Sequence, residues 1–112
     1  MSIEINGKVI ATDAEGYLVE PLDWDDHIAA LLARQEEIEL GEEHWKIIRF
    51  MRNFYDENQV AADARFVKKL LAGEFGYGKN AGLRLAELFP YGYVKQACKI
   101  AGMKRPRAWS TG

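Results

Sequence analysis

Cysteine is nearly absent from this 112-residue chain, in which Cys98 is the only thiol. A single cysteine excludes an internal disulfide, so the fold gains no stability from an oxidising compartment. Long apolar runs are absent as well. None approaches the ~20 residues that span a bilayer, and the first residues lack the basic and then apolar pattern of a secretion signal. These absences predict a soluble, cytoplasmic protein that does not cross a membrane.

Few residues suit metal binding or nucleophilic catalysis. His27 and His44 are the only histidines, and with one distant cysteine they form no metal-ligand spacing, so neither a metal site nor a cofactor is predicted. Serine occurs only at Ser2 and Ser110, which leaves no arrangement of nucleophile and base. The segment 76–79, Gly-Tyr-Gly-Lys, lacks the Ser or Thr that follows the lysine of a phosphate-binding loop, and it predicts a turn.

Acidic residues are missing from the C-terminal end, where no aspartate or glutamate follows Phe89. The net charge of −2 combines −9 over residues 1–60 with +7 over residues 61–112. The last part of the chain collects basic residues: Lys95, Lys99, Lys104, Arg105 and Arg107. We expect this segment either to attract an anionic surface of a partner or to fold against the acidic half of the same molecule.

A hairpin signal stands near the N-terminus. Asn6-Gly7 lies between short apolar runs and favours a two-residue turn, because both central positions need a positive φ. Residues 17–19 could add a short third strand, which Pro21 would end. The chain length and the 48% hydrophobic content predict one globular domain, residues 1–103.

Apolar residues recur at helical spacing through the rest of the chain and predict about five helices. The first begins near Asp23, which could cap it, and the second begins at 41–43 and presents the widest apolar face. The fold class is therefore α+β: a small N-terminal β-hairpin region packed on a bundle of about five helices. Residues 104–112 lack apolar periodicity and predict a mobile C-terminal arm.

The last three predicted helices are shorter. The third covers about 62–72 with Phe66 facing inward. The fourth carries Leu83, Leu85 and Leu88 and stops at Pro90, since proline cannot continue a helix. The fifth covers about 93–101 and includes Cys98.

The surroundings of Cys98 are compatible with two interpretations. Lys95 and Lys99 lie close in sequence, and positive charge favours the thiolate, the form that attacks disulfides and carries sulfane sulfur. A lone cysteine between Ala97 and Ile100, near a helix end, is also typical of a small buried apolar residue. The residues alone leave both interpretations open.

Two long segments carry a family resemblance: GEEHWKIIRFMRNFYDE at 41–57 and LFPYGYVKQACKIAGMKRP at 88–106. With the N-terminal Ile-Asn-Gly turn and DAEGYL at 13–18, they resemble the DsrC/TusE family of sulfur-relay proteins, which includes the gamma subunit of dissimilatory sulfite reductase. The resemblance implies a β-hairpin on five or six helices with a mobile arm. It also implies sulfur trafficking as persulfide, in dissimilatory sulfur metabolism or tRNA thiolation, by a carrier or accessory protein rather than a stand-alone catalyst.

The resemblance also identifies what this chain lacks. DsrC-type members present two cysteines in the arm, and TusE-type members keep only the penultimate one. Cys98 matches the inner cysteine, whereas Trp109, eleven residues later, stands where the outer one is expected. An indole offers an N–H donor and an apolar face but no nucleophile. The usual Gly-Pro after the Leu-Phe-Pro element is Gly92-Tyr93 here.

Three functions are compatible with these features. The first is a sulfur-relay protein that binds a sulfite-reductase-like or sulfurtransferase partner and exchanges persulfide or disulfide sulfur at Cys98. The second is a regulatory or docking protein that carries no sulfur and inserts Trp109 into the partner. In both, the partner would contact the basic end of a monomer through Lys95, Lys99, Lys104, Arg105, Arg107 and Trp109.

The third function is a DNA-binding regulator of helix-turn-helix type. Its phosphate contacts would come from the third and fourth helices: Arg65, Lys68, Lys69 and Arg84. The connection between these helices is longer than the three or four residues of such motifs, and the negative net charge predicts weak binding.

Overall fold

The N-terminal hairpin forms as predicted in the computed structural model, which describes residues 1–104. Strand β1, Ser2–Ile5, pairs antiparallel with β2, Lys8–Ala11. Asn6 and Gly7 make the turn with φ values of 51° and 81°, the left-handed conformation that a tight hairpin turn demands. The predicted hairpin is therefore confirmed.

The third strand predicted at 17–19 is wrong, because a single bridge joins Leu18 to Thr12 and no strand forms there. Adjacent residues of a strand point to opposite faces, and only one of them would reach the core. Tyr17 and Leu18 are instead both buried. Both of these side chains therefore pack in the core, which the alternating directions of a regular strand would not allow.

Five helices follow within the described residues. They are α1 at Asp26–Gln35, α2 at Glu42–Asn58, α3 at Ala64–Gly73, α4 at Ala81–Leu88 and a π-helix at Tyr93–Cys98. The cap of α1 is Asp25, whose Oδ1 accepts a hydrogen bond of 2.9 Å from the Ile28 N–H. The predicted Asp23 cap is wrong because Pro21–Asp23 forms a separate 3-10 turn.

The core surrounds α2, as the width of its apolar face predicts. Ile47, Ile48 and Met51 are fully buried at its centre. The hairpin region and five helices confirm the α+β fold class. The inward prediction for Phe66 is wrong, since this residue is 38% exposed, and Leu83 on α4 is 70% exposed. Each lies on the outer face of a short helix whose neighbouring apolar residues already fill the core.

The predicted C-terminal arm lies almost entirely outside the described residues, of which Lys104 is the last. Within residues 1–104, no helix is both long and apolar enough to cross a membrane.

Candidate functional site

Cys98 lies in the core, at the end of the π-helix, with 0% of its surface exposed. A π-helix closes i to i+5 hydrogen bonds, so its wider turn brings residues five apart close to each other. Tyr93 is five residues before Cys98, and the two side chains form a hydrogen bond. The Tyr93 hydroxyl also donates to the Ala62 carbonyl oxygen at 2.6 Å. Cys98 is thus fully buried next to the Tyr93 side chain of its own helix.

Burial raises the pKa of the Cys98 thiol to about 12, and the hydrogen bond with Tyr93 offsets only part of this rise. The sequence alone left open whether nearby lysines lower this pKa, and in the structure burial raises it instead. Consecutive helix residues diverge around the axis, so Lys99 does not face the thiol. Its Nζ lies instead 3.4 Å from a Glu36 carboxylate oxygen and 5.2 Å from the centre of the Tyr17 ring. The buried-residue interpretation of Cys98 agrees with this geometry.

The basic residues predicted to bind a partner differ in their accessibility. Lys95 and Lys104 are exposed. The side chain of Lys99 is only 17% exposed because it pairs with Glu36. The remaining three predicted contacts, Arg105, Arg107 and Trp109, lie outside the described residues.

Gln96 is a buried polar residue that the sequence analysis did not single out. Its Oε1 accepts a hydrogen bond from the Tyr91 N–H at 2.9 Å, and its Nε2 donates to Glu36 at 3.2 Å. Glu36 therefore binds both Gln96 and Lys99, which holds the π-helix against the end of α1. An uncharged amide three residues after Tyr93 and four before Ile100, on the apolar face of the predicted fifth helix, is the signal that could have identified it, because buried polar groups need partners.

Trp24 and Arg52 hold the point where the chain leaves the domain. The Trp24 Nε1 donates to the Ile100 carbonyl oxygen at 2.8 Å. Arg52 stacks 4.6 Å from the Trp24 ring centre and donates to the carbonyl oxygens of Ala101 and Pro21 at 3.1 and 3.0 Å. These contacts join α2, the 3-10 turn and the residues that follow the last helix.

The residues predicted to contact DNA are not equally available. Arg84 donates to Glu43 at 2.8 Å and to Glu87 at 3.1 Å, and hydrogen bonds to these carboxylates raise its pKa. Arg65 lies 3.6 Å from a carboxylate oxygen of Asp63. Lys68 and Lys69 on α3 are exposed. Unlike Arg65 and Arg84, they pair with no acid among the ion pairs of residues 1–104. Glu43 and Glu87 thus already bind the Arg84 guanidinium, which would have to be available to contact a DNA phosphate.

The two histidines have different surroundings. His44 Nδ1 accepts a hydrogen bond from the Gly41 N–H at 3.0 Å, and its Nε2 lies 2.9 Å from the Leu88 carbonyl oxygen. His27 is exposed and lies 4.0 Å from Asp25. His44 therefore connects the start of α2 to the end of α4. In residues 1–104, no three His, Cys, Asp or Glu side chains come together in a way that could hold a metal ion.

The buried thiol predicts a loss of stability at alkaline pH. The unfolded chain ionises Cys98 near its ordinary pKa of 9.0, whereas the folded protein keeps it protonated up to about 12. The stability that the neutral thiol contributes is present below about pH 9 and declines by about 1.4 kcal/mol per pH unit from there to about pH 12. Urea unfolding of the wild type and Cys98→Ala between pH 7 and pH 11 measures it.

Cys98→Ala is the control because it retains Tyr93, whose pKa burial also raises. The difference in unfolding free energy between the two proteins should be constant from pH 7 to pH 8 and shrink above pH 9. A difference that stays constant up to pH 11 would contradict the conclusion that the Cys98 thiol is buried and stays protonated.

A family model described as DsrC like protein matches residues 4–108 of this chain. Sulfurtransferase TusE of Pectobacterium atrosepticum is 44% identical over 104 residues, which cover 93% of this chain and 95% of the relative. Sulfurtransferase TusE of Photorhabdus laumondii is 48% identical over 100 residues, covering 89% of this chain and 90% of the relative.

Two solved structures have the same fold over nearly the whole chain. The oxidized gamma-subunit of the dissimilatory sulfite reductase (DsrC) from Archaeoglobus fulgidus has a TM-score of 0.81 at 35% identity, and Allochromatium vinosum DsrC has a TM-score of 0.84 at 42% identity. Each comparison covers 98% of this chain and 100% of the other. The sequence and structural matches together establish that this chain belongs to the DsrC/TusE family of sulfur-relay proteins.

Proposed function

We propose that this member of the sulfur-relay family docks on a sulfur-handling partner and does not itself carry sulfur. The observation that carries the proposal is the complete burial of Cys98, the only thiol of the chain. Sulfur transfer needs a thiolate that can reach the sulfane sulfur of a donor, and a buried thiol with a pKa of about 12 supplies neither access nor charge.

The proposed partner is a sulfite-reductase-like or sulfurtransferase protein, since the relatives of this chain carry the names of those two systems. The proposed contact surface is the basic end of the chain. Lys95 and Lys104 are exposed at the end of the domain, and Arg105, Arg107 and Trp109 follow in sequence. Arginine and tryptophan are enriched among the residues that dominate binding energies, and positive charge increases the rate of association with an acidic surface.

Calorimetric titration of the purified sulfite reductase and sulfurtransferase complexes of the native host tests the docking. We expect Trp109→Ala, and truncation after Lys104, to weaken binding to one of them by at least about tenfold, or 1.4 kcal/mol. Cys98→Ala should bind within about twofold of the wild type, because a buried side chain contributes no contact. Lys95→Ala should also weaken binding. Lys69→Ala is its matched control and should leave binding unchanged, since both are exposed helix lysines and only Lys95 lies at the basic end. Binding that survives the truncation would refute docking through the arm.

Mass spectrometry after incubation with a small persulfide donor tests the absence of sulfur carriage. A reactive Cys98 thiolate would attack the terminal sulfur of the donor persulfide, gain that sulfur atom and release the donor thiolate. We expect no such adduct on the native protein and one adduct after unfolding in urea. Rapid labelling of the native protein would support sulfur exchange at Cys98 and overturn the non-carrier proposal.

A further inference from the structure

A surface cavity of about 280 Å³ lies between α3, α4 and the turn that leads into the π-helix. Its walls include Phe89, Gly92 and Tyr93, and Lys68 contributes a positive charge. A Cβ added at Gly82 would lie 4.0 Å from the Lys68 side chain, which places this lysine beside α4. The cavity therefore has aromatic walls, one cationic group and an opening to solvent. We call it the Tyr93 cavity.

Tyr93 is next to both this cavity and Cys98. It lines the cavity and also forms a hydrogen bond with Cys98. Cys98 itself does not line the cavity. Tyr93 is 1% exposed and its hydroxyl is held by the Ala62 carbonyl oxygen at 2.6 Å. The ring is thus fixed at its far end.

The π-helix explains why Tyr93 takes this position. Residues 93 and 98 are five apart, and the wide turn of a π-helix brings such residues close together. Position 93 is also where the sequence has tyrosine in place of the proline expected from the family resemblance. A proline has neither a ring that could cover Cys98 nor a hydroxyl that could bind Ala62.

We infer that Tyr93 closes the path from this cavity to Cys98, so that a small sulfur-bearing compound entering the cavity meets the phenol ring and cannot reach the thiol. This inference goes beyond the proposed function because it assigns the protection of the thiol to one side chain. It concerns the free protein and requires no partner.

Thiol labelling with methyl methanethiosulfonate tests the inference. The Cys98 thiolate attacks the methylthio sulfur, a protein methyl disulfide forms, and methanesulfinate leaves with the electron pair of the broken S–S bond. In the wild type, we expect labelling only as fast as the protein unfolds. Tyr93→Ala removes the ring and also destabilises the protein, and the lower stability alone increases the labelling rate by an amount that follows from the unfolding free energy. We expect the observed rate to exceed that value by at least about tenfold. Tyr93→Phe keeps the ring and should increase the rate only as its stability predicts.

Tyr17→Ala is the matched control. Tyr17 is also a buried tyrosine, and its hydroxyl donates to the Val94 carbonyl oxygen of the same π-helix at 3.0 Å, but it does not line the Tyr93 cavity. Its labelling rate should change only with its unfolding free energy, measured in urea under the same conditions. Tyr93→Leu, which leaves a smaller apolar side chain, replaces Tyr93→Ala if that variant does not fold.

Equal labelling rates for the position 93 and position 17 variants, at equal unfolding free energy, would overturn the inference. Access to Cys98 would then depend on opening of the whole domain. Neither result depends on partner binding, so this experiment and the titrations of the proposed function fail independently.

Discussion

Replacement of Gly102 by alanine is expected to lower the free energy of unfolding by about 2–5 kcal/mol. Gly102 has a φ of 77°, and a Cβ at this position would lie 2.4 Å from Trp24 Cδ1, 2.7 Å from Cγ and 2.8 Å from Cβ. The Trp24 ring cannot move aside without breaking its hydrogen bond to Ile100 and its stacking with Arg52. The variant therefore combines a strained backbone with a clash against an anchored ring.

Gly76→Ala is the control for the backbone strain. Gly76 has a φ of 76°, nearly the same as Gly102, but an added Cβ would find no atom within 4 Å. Alanine there should lower the free energy of unfolding by only about 1–2 kcal/mol. Urea unfolding of both variants measures the difference, and equal losses would contradict close packing of Trp24 against Gly102.

Replacement of Arg52 by alanine is expected to lower the free energy of unfolding by about 3 kcal/mol. The substitution removes two hydrogen bonds from a charged donor and the stacking on Trp24. It also leaves the carbonyl oxygens of Pro21 and Ala101 without this donor. Arg52→Lys should recover less than half of the loss, because an ammonium lacks the planar fork that reaches both carbonyl groups.

Arg49→Ala is the matched control on the same helix. Arg49 binds Asp26 through two hydrogen bonds of 2.9 and 3.0 Å, but both side chains are more than half exposed. An exposed ion pair contributes at most about 1 kcal/mol. Thermal or urea unfolding that gives similar losses for Arg49→Ala and Arg52→Ala would contradict the anchoring role of Arg52.

Local signals predicted the elements that depend on local chemistry. Asn6-Gly7 specified the hairpin because its two residues tolerate the positive φ of the turn. The two acids at Glu42-Glu43 and the apolar stripe behind them specified α2, the longest helix. Both features involve residues close in sequence, so no knowledge of distant contacts was needed.

Exposure and anchoring depended on distant contacts and were predicted poorly. Phe66 and Leu83 occur at plausible helix spacings, but Phe66 remains 38% exposed beside the Phe54 ring and Leu83 is 70% exposed. Arg52 resembles any other arginine of α2 in sequence, and its role appears only when Trp24 and Ala101 meet it. The glycine at 102 likewise carries no sequence signal of the ring packed against it.

The identity of the sulfur-relay family and the presence of a single thiol were determined by the sequence itself, because they depend only on which residues stand at which spacing. The state of Cys98 was decided by the tertiary structure. Sequence places two lysines near the thiol, and proximity in sequence favours a thiolate. The helix turns Lys99 toward Glu36, and burial in a medium of low polarity penalises the charged form of the thiol more than the hydrogen bond with Tyr93 favours it.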